Sequence, residues 1–251
     1  MMQSFRYAAL GTGFTFLMTT LGAAMVFFFA KETGAAFQKA LIGFAAGVMT
    51  AASVWSLLLP AIEQAEGGFF PAWLPAAAGI LLGMIFLGVL DDICPKLSKR
   101  TLDGASRQNA LLTMAITLHN IPEGMAVGLA FALASGGEGL AAASALALGI
   151  GIQNFPEGAA ISLPLRQMGH SRLRAFTVGM LSGIVEPLFG IAVVLAAAGV
   201  SALMPWFLSF AAGAMLYVVV EELVPQAHSR AGTCGFIGGF LVMMVLDVAL
   251  G

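Results

Sequence analysis

"HNIPEG", residues 119–124, interrupts the apolar run LLTMAITLHNIPEGMAVGLAFALA (residues 111–134) with an imidazole, an amide, a proline and a carboxylate. "QNFPEG", residues 153–158, repeats the shape inside a second apolar run. A helix needs about 20 mostly apolar residues to cross a bilayer. An ionised carboxylate at the bilayer centre costs roughly 2.5–3.5 kcal/mol even on the lenient insertion scale. A chain that places the same polar hexapeptide there twice is read as a membrane bundle built around an internal polar site.

Composition agrees with that reading. The chain has 251 residues, of which 59% are hydrophobic and 10% charged. Soluble domains carry about 25% charged residues. The mean hydropathy is +0.95. Eight apolar runs are long enough to span: roughly 7–30, 37–60, 71–90, 108–133, 139–164, 173–198, 202–224 and 233–250. The first is too long for the cleavable core of a signal peptide, about 7–15 residues, and reads as a spanning helix. The runs are continuous rather than alternating, which favours helices over a barrel. Abundant glycine, 31 residues, and alanine let such helices approach closely. The expected fold is an all-α integral membrane protein, one transmembrane domain over residues 1–251. The lipid bilayer is an expected partner and nucleic acid is not.

Basic residues orient the bundle. With eight spans, the loops on one side hold Lys31, Lys39, Lys96, Lys99, Arg100, Arg107, Arg166, Arg172, Arg174 and Arg230. The opposite side, with both termini, holds Arg6. Cytoplasmic loops carry the excess of Lys and Arg, so both termini are expected outside. Cys94 and Cys234 then fall near the cytoplasmic side, where free thiols are expected. They have no C-x-x-C spacing, so no zinc motif is read from them.

Three glutamates lie near the middle of spans: Glu123, Glu157 and Glu186. No lysine or arginine lies at that depth to neutralise them. Protons, water or a bound cation are the remaining partners. His119 and Glu123 stand four residues apart on one helix face, as do Gln153 and Glu157; Asn120 and Asn154 stand three before each glutamate. Pro122 and Pro156 are expected to bend their helices and release the carbonyls of Leu118 and Ile152. Consecutive spans are antiparallel, so the hexapeptides approach one depth from opposite directions, as in inverted-repeat transporters with a midplane site. One imidazole, three carboxylates and three amide oxygens suit borderline divalent ions: zinc, iron(II), manganese, cobalt or cadmium. Met49, mid-way along the second span, either packs or adds a thioether. Buried polar contacts between helices, with protonated glutamates, are the bland alternative.

The ends of the spans are acidic as well. Glu63, Glu66 and Asp247 fall on the outer side; Asp91, Asp92, Glu221, Glu222 and His228 fall on the inner side. Each alone is explained as a solvated helix end. As a set they could form acidic vestibules that concentrate cations, and Glu63, Asp91, Glu221, Glu222, His228 and Asp247 are candidate pathway residues.

HNIPEG and QNFPEG, followed by SGIVEP (182–187) and VEELVPQAH (220–228), resemble the motifs of the ZIP (Zrt-, Irt-like) divalent-metal transporters, near the bacterial members. The resemblance covers all eight spans, in the family's order. It implies a 3+2+3 arrangement, with helices 1–3 and 6–8 related by an inverted repeat around helices 4 and 5. It implies metal entry into the cytoplasm through two mid-membrane positions. The first would use His119, Glu123, Gln153 and Glu157, with Met49 as a looser match. The second would use Asn120, Glu123, Asn154, Glu157 and Glu186. It also implies an elevator-like sliding of one helix group against the other. Two departures stand out. The loop between helices 3 and 4 carries no histidines, and Asn154 stands where some members have aspartate.

The expected function is therefore transport of zinc, and of iron, manganese, cobalt or cadmium, across a bacterial inner membrane into the cytoplasm. The metal is the substrate; no organic cofactor and no enzymatic activity are expected. A homodimer is compatible with the sequence. The rivals are a proton- or sodium-coupled carrier of an organic solute, an intramembrane metalloenzyme and a structural subunit. HNIPE is not H-E-x-x-H, and His119 is the one histidine inside a span, which weighs against the metalloenzyme.

Overall fold

A computed structural model describes residues 2–28, 34–98, 104–134, 137–197 and 201–250. Among these the chain forms eight helical rods and no strand. They are α1 (Met2–Ala24, ending in a 3-10 turn, Met25–Phe27), α2 (Ala35–Ala52, continued through Ser53–Leu58 into Leu59–Ala65) and α3 (Trp73–Ser98). Then follow α4 (Gly104–Leu133), α5 (Gly137–Gln167) and α6 in two parts, α6a (Arg172–Ser182) and α6b (Val185–Ala197). Last come α7 (a 3-10 turn, Ser201–Leu203, then Met204–Val218, continued through Val219–Leu223 into Val224–Ala227) and α8 (Arg230–Leu250). Seven rods contain apolar stretches of membrane-spanning length; in α4 the described stretch Asn120–Leu133 is apolar. The rods match the eight expected spans, and the chain is an integral membrane protein.

Two departures from regular α-helix come in a matched pair. Ser53–Leu58 of α2 is π-helical and leads into Pro60; Val219–Leu223 of α7 is π-helical and leads into Pro225. Proline withholds an N–H from the ladder, and a widened turn is one way to absorb the defect. The prolines of the hexapeptides behave differently. α4 and α5 run without a break through Pro122 and Pro156. The break falls instead in α6, at Gly183–Ile184. Backbone outside a helix is tolerated at membrane depth when protein surrounds it, and Gly183 is buried.

Packing divides the rods into two groups. In one, α1 lies along α5 and α4 along α6b; in the other, α2 lies along α8 and α3 along α7. Glycines make these contacts backbone to backbone. A Cβ at Gly128 would meet Gly190 of α6b, and one at Gly158 would meet the Thr19 carbonyl of α1. A Cβ at Gly47 would meet the Phe236 carbonyl of α8, and one at Gly213 the Ile80 carbonyl of α3. Small residues give membrane helices this proximity. Among the described residues, such glycine-to-backbone contacts between rods stay within one group or the other. Gly149 of α5 does face the other group, and there it meets side chains: the Met243 thioether of α8 and Val48 of α2.

Candidate functional site

The hexapeptides lie on α4 and α5 within the first group, where α6b and α1 close around them. Asn120, Glu123, Gln153, Asn154, Glu157 and Glu186 are all buried. The two helices meet through Gln153, whose Nε2 donates to Glu123 Oε1 at 2.6 Å. Asn154 Nδ2 donates to Glu186 Oε2 at 2.8 Å, which ties α5 to the first turn of α6b. Asn120 Nδ2 donates at 3.0 Å to the carbonyl of Ser182, the last residue of α6a. The break in α6 thus releases a carbonyl, and an amide of the first hexapeptide takes it. Gly124 permits the approach: a Cβ there would meet the backbone of Glu186.

One pattern repeats across these side chains. Each amide spends its N–H on another helix and turns its oxygen to the interior. Asn120 Oδ1, Gln153 Oε1, Asn154 Oδ1 and Glu123 Oε2 are buried with no hydrogen-bond partner. Buried polar atoms are nearly always paired, so each orphan needs an explanation such as an ion or water. Glu157 and Glu186 both lie within electrostatic reach of Glu123. A cluster of acceptors and carboxylates that holds no cationic side chain among its described residues is a place for a cation. Among the described residues, no three His, Cys, Asp or Glu side chains group closely enough to hold an ion by themselves. Amide oxygens therefore have to complete any ion site here, beside carboxylates that already accept hydrogen bonds from Gln153, Asn154 and Thr19.

The remaining candidates fall as follows. Met49 is fully buried in α2. His119 lies in α4, but its side chain is outside the described residues, as is that of Asp91 in α3. Glu63 is exposed near the end of α2. At the opposite end of α2, Lys39 donates from Nζ to the His228 carbonyl at 3.1 Å. Glu221 and Glu222 lie in the π-helical stretch of α7, Glu221 exposed and Glu222 half-buried. Asp247 of α8 accepts from Ser56 Oγ at 2.6 Å, and Ser56 lies in the π-helical stretch of α2. Cys234 is exposed and makes no disulfide; the Cys94 side chain is outside the described residues.

Three polar contributors were not read from the sequence: Thr19, Ser182 and Ser56. Hydroxyl residues in apolar helices commonly bond their own carbonyls three or four residues back, so Thr19 and Ser56 give no signal of contact with another helix, and Ser182 contributes a backbone carbonyl that its side chain does not announce. A signal was present for another feature. FAAGVM (44–49) in α2 returns as FAAGAM (210–215) in α7, and GILLGMIFLGVLD (79–91) in α3 returns as GFIGGFLVMMVLD (235–247) in α8.

Comparison with known proteins gives a consistent result. The family model "ZIP Zinc transporter" matches residues 103–247. "Zinc transporter GufA" of Myxococcus xanthus is 41% identical, over 84% of this chain and 86% of that protein. "Zinc transporter ZIPB" of Bordetella bronchiseptica is 39% identical, over 98% of this chain and 82% of its own length. The human "Zinc transporter ZIP11" is 37% identical over 97% of both chains.

Proposed function

The chain belongs to the ZIP zinc-transporter family, and from that premise we propose that it carries Zn²⁺ through the membrane by way of the buried cluster on α4, α5 and α6. It is a transporter and not an enzyme, which sets aside the metalloenzyme alternative. The observation that carries the site assignment is the set of orphaned oxygens on Asn120, Glu123, Gln153 and Asn154. Divalent ions do not cross hydrocarbon with their water, and a cluster of this kind replaces the hydration shell. His119, Glu123, Gln153 and Glu157, with Met49, form the first ion position. Asn120, Glu123, Asn154, Glu157 and Glu186 form the second. The donor set also admits iron(II), manganese, cobalt and cadmium.

The direction is into the cytoplasm of a bacterial cell, with both termini outside; the ten-to-one split of basic residues supports that orientation. Glu63 and Asp247 form the entrance, and Asp91, Glu221, Glu222 and His228 the exit. The chain works as one transmembrane domain, residues 1–251, in a 3+2+3 arrangement. Supporting this are the sequence repeats of α2 in α7 and of α3 in α8. A matched contact supports it too: Gly239 of α8 approaches the Phe44 carbonyl of α2, as Gly83 of α3 approaches that of Phe210 in α7. The ion moves when the α1/α4/α5/α6 group slides against the other, a reading supported by glycine-to-backbone contacts confined to each group.

Purified protein in liposomes, given a panel of divalent metals with and without a pH gradient, tests the proposal. Zinc accumulation inside the vesicles is expected. Uptake of an organic solute with no metal requirement would instead favour the proton- or sodium-coupled carrier.

A further inference from the structure

Glu186 is the one carboxylate of the cluster that does not come from a hexapeptide, and its surroundings go beyond the ligand sets above. It stands in the first turn of α6b, immediately after the break at Gly183–Ile184. One oxygen, Oε2, is taken by Asn154. The other, Oε1, accepts a hydrogen bond at 3.0 Å from Thr19 Oγ1, on α1, and the buried Thr15 hydroxyl, one turn back on α1, also faces this carboxylate. No candidate ligand comes from α1, yet Thr19 is fully buried and its hydroxyl is aimed at a ligand. The same hydroxyl lies 3.3 Å from the carbonyl of Thr15, one turn back in α1. Helical threonines often settle for that local bond; here the shorter contact crosses between helices. Room for it comes from Gly183. A Cβ there would stand 3.0 Å from Thr19 Cβ and Cγ2 and 3.1 Å from Glu186 Oε1, tighter than ordinary contact. The helix break therefore does two things. It turns Glu186 toward the cluster, and it leaves a glycine-sized gap through which α1 reaches the carboxylate.

We propose that Thr19 is a positioning residue for metal transport: its hydroxyl holds Glu186 in the orientation in which the second ion position is formed. The inference rests on the site assignment above. A carboxylate oxygen has a second lone pair, so accepting from a hydroxyl fixes its direction without removing it as a ligand. Outer partners of metal ligands act in this way, and their loss commonly reduces affinity about 10- to 100-fold. Thr19→Val keeps the shape and removes the Thr19 donor while leaving Thr15 in place. Thr19→Ser keeps the donor. Gly183→Ala keeps the hydroxyl but crowds Thr19 Cβ and Cγ2 and Glu186 Oε1.

The test is a titration of purified full-length protein with Zn²⁺ alone, by calorimetry, in these variants and in Glu186→Gln. The binding step that Glu186→Gln removes identifies the second position. In Thr19→Val that step is expected to weaken about tenfold or more, with the remaining step unchanged, and Thr19→Ser is expected to restore it. Gly183→Ala should repeat the Thr19→Val pattern. An unchanged Glu186-dependent step in both Thr19→Val and Gly183→Ala overturns the inference while leaving the site assignment intact. Equal weakening of both steps overturns it too, since that is the signature of a general packing defect. A titration that Glu186→Gln does not alter overturns the assignment on which it rests.

Discussion

Gln153 and Glu123 are joined side chain to side chain at 2.6 Å, so the second hexapeptide holds the first through its leading residue. The bond leaves Gln153 Oε1 and Glu123 Oε2 directed elsewhere and unpaired. Replacing Gln153 by alanine removes both the tie between α4 and α5 and a candidate ligand oxygen. A hydrogen bond to a charged group contributes about 1.5–3 kcal/mol in soluble proteins, and bonds between membrane helices average lower, about 0.6. Gln153→Ala is expected to cost about 1–2 kcal/mol in a detergent unfolding measurement and to weaken zinc binding. Unaltered stability and binding would remove Gln153 from the site.

Asn154→Asp reverses the sign of one contact. The Asn154 amide now donates to Glu186 at 2.8 Å; an aspartate there would put two carboxylates face to face. Without metal they repel, and the empty protein should unfold more easily. With zinc the added charge stabilises the loaded state. Two divalent ions carry four positive charges, and Glu123, Glu157 and Glu186, once all are ionised around the metal, supply three negative ones. The variant balances them, so it should bind closer to two ions per chain and release them more slowly. Because a ligand that binds the folded state raises the unfolding temperature, the zinc-induced shift should be larger in Asn154→Asp than in wild type. A smaller shift would contradict the charge balance.

Gly47→Ala and Gly149→Ala form a matched pair that tests the two helix groups. At Gly47 the new methyl meets the backbone of α8, within a group; at Gly149 it meets the end of the flexible Met243 side chain, across the groups. Overpacking a fixed contact costs about 1–3 kcal/mol, so Gly47→Ala should lower the unfolding temperature clearly. Gly149→Ala should fold nearly normally but slow zinc uptake, by about tenfold if it adds ~1.4 kcal/mol to the barrier of sliding. Equal effects of both substitutions on stability and uptake would argue against separate moving groups.

Much of this architecture can be read from the chain. Eight apolar runs appear as eight rods, and the polar residues that could least tolerate lipid, Glu123, Glu157 and Glu186, are all buried. The local defects were less legible. Pro122 and Pro156 signal a bend in their helices, and both helices run on through them, since a helix enclosed by others can re-satisfy the freed groups. Gly183 looks like one more small residue in SGIVEP, yet the break is there. Its role depends on Thr19 and Asn120, 164 and 63 positions earlier in the chain, and no helical spacing connects positions so far apart. The π-helical stretches are illegible for a similar reason: a proline signals a defect in the ladder without fixing how the ladder absorbs it.

The orientation is open to chemical labelling. Phe69, in the connection between α2 and α3, is 95% exposed. Met168 lies in the connection between α5 and α6, on the side rich in arginine. With Cys94 and Cys234 replaced by serine, Phe69→Cys should react with an impermeant thiol reagent added to intact cells, and Met168→Cys should react only after the membrane is opened. The reverse pattern would invert the topology.

The most direct measurement is zinc uptake into liposomes by wild type and Glu123→Gln, side by side, at matched amounts of folded protein. Glu123 belongs to both proposed ion positions, and the substitution keeps the side chain's size while removing its charge. Wild-type vesicles should accumulate zinc. Glu123→Gln vesicles should lose more than the roughly 10–100-fold that follows when only an outer partner of a ligand is changed. Uptake by Glu123→Gln at the wild-type rate would contradict transport through the buried cluster.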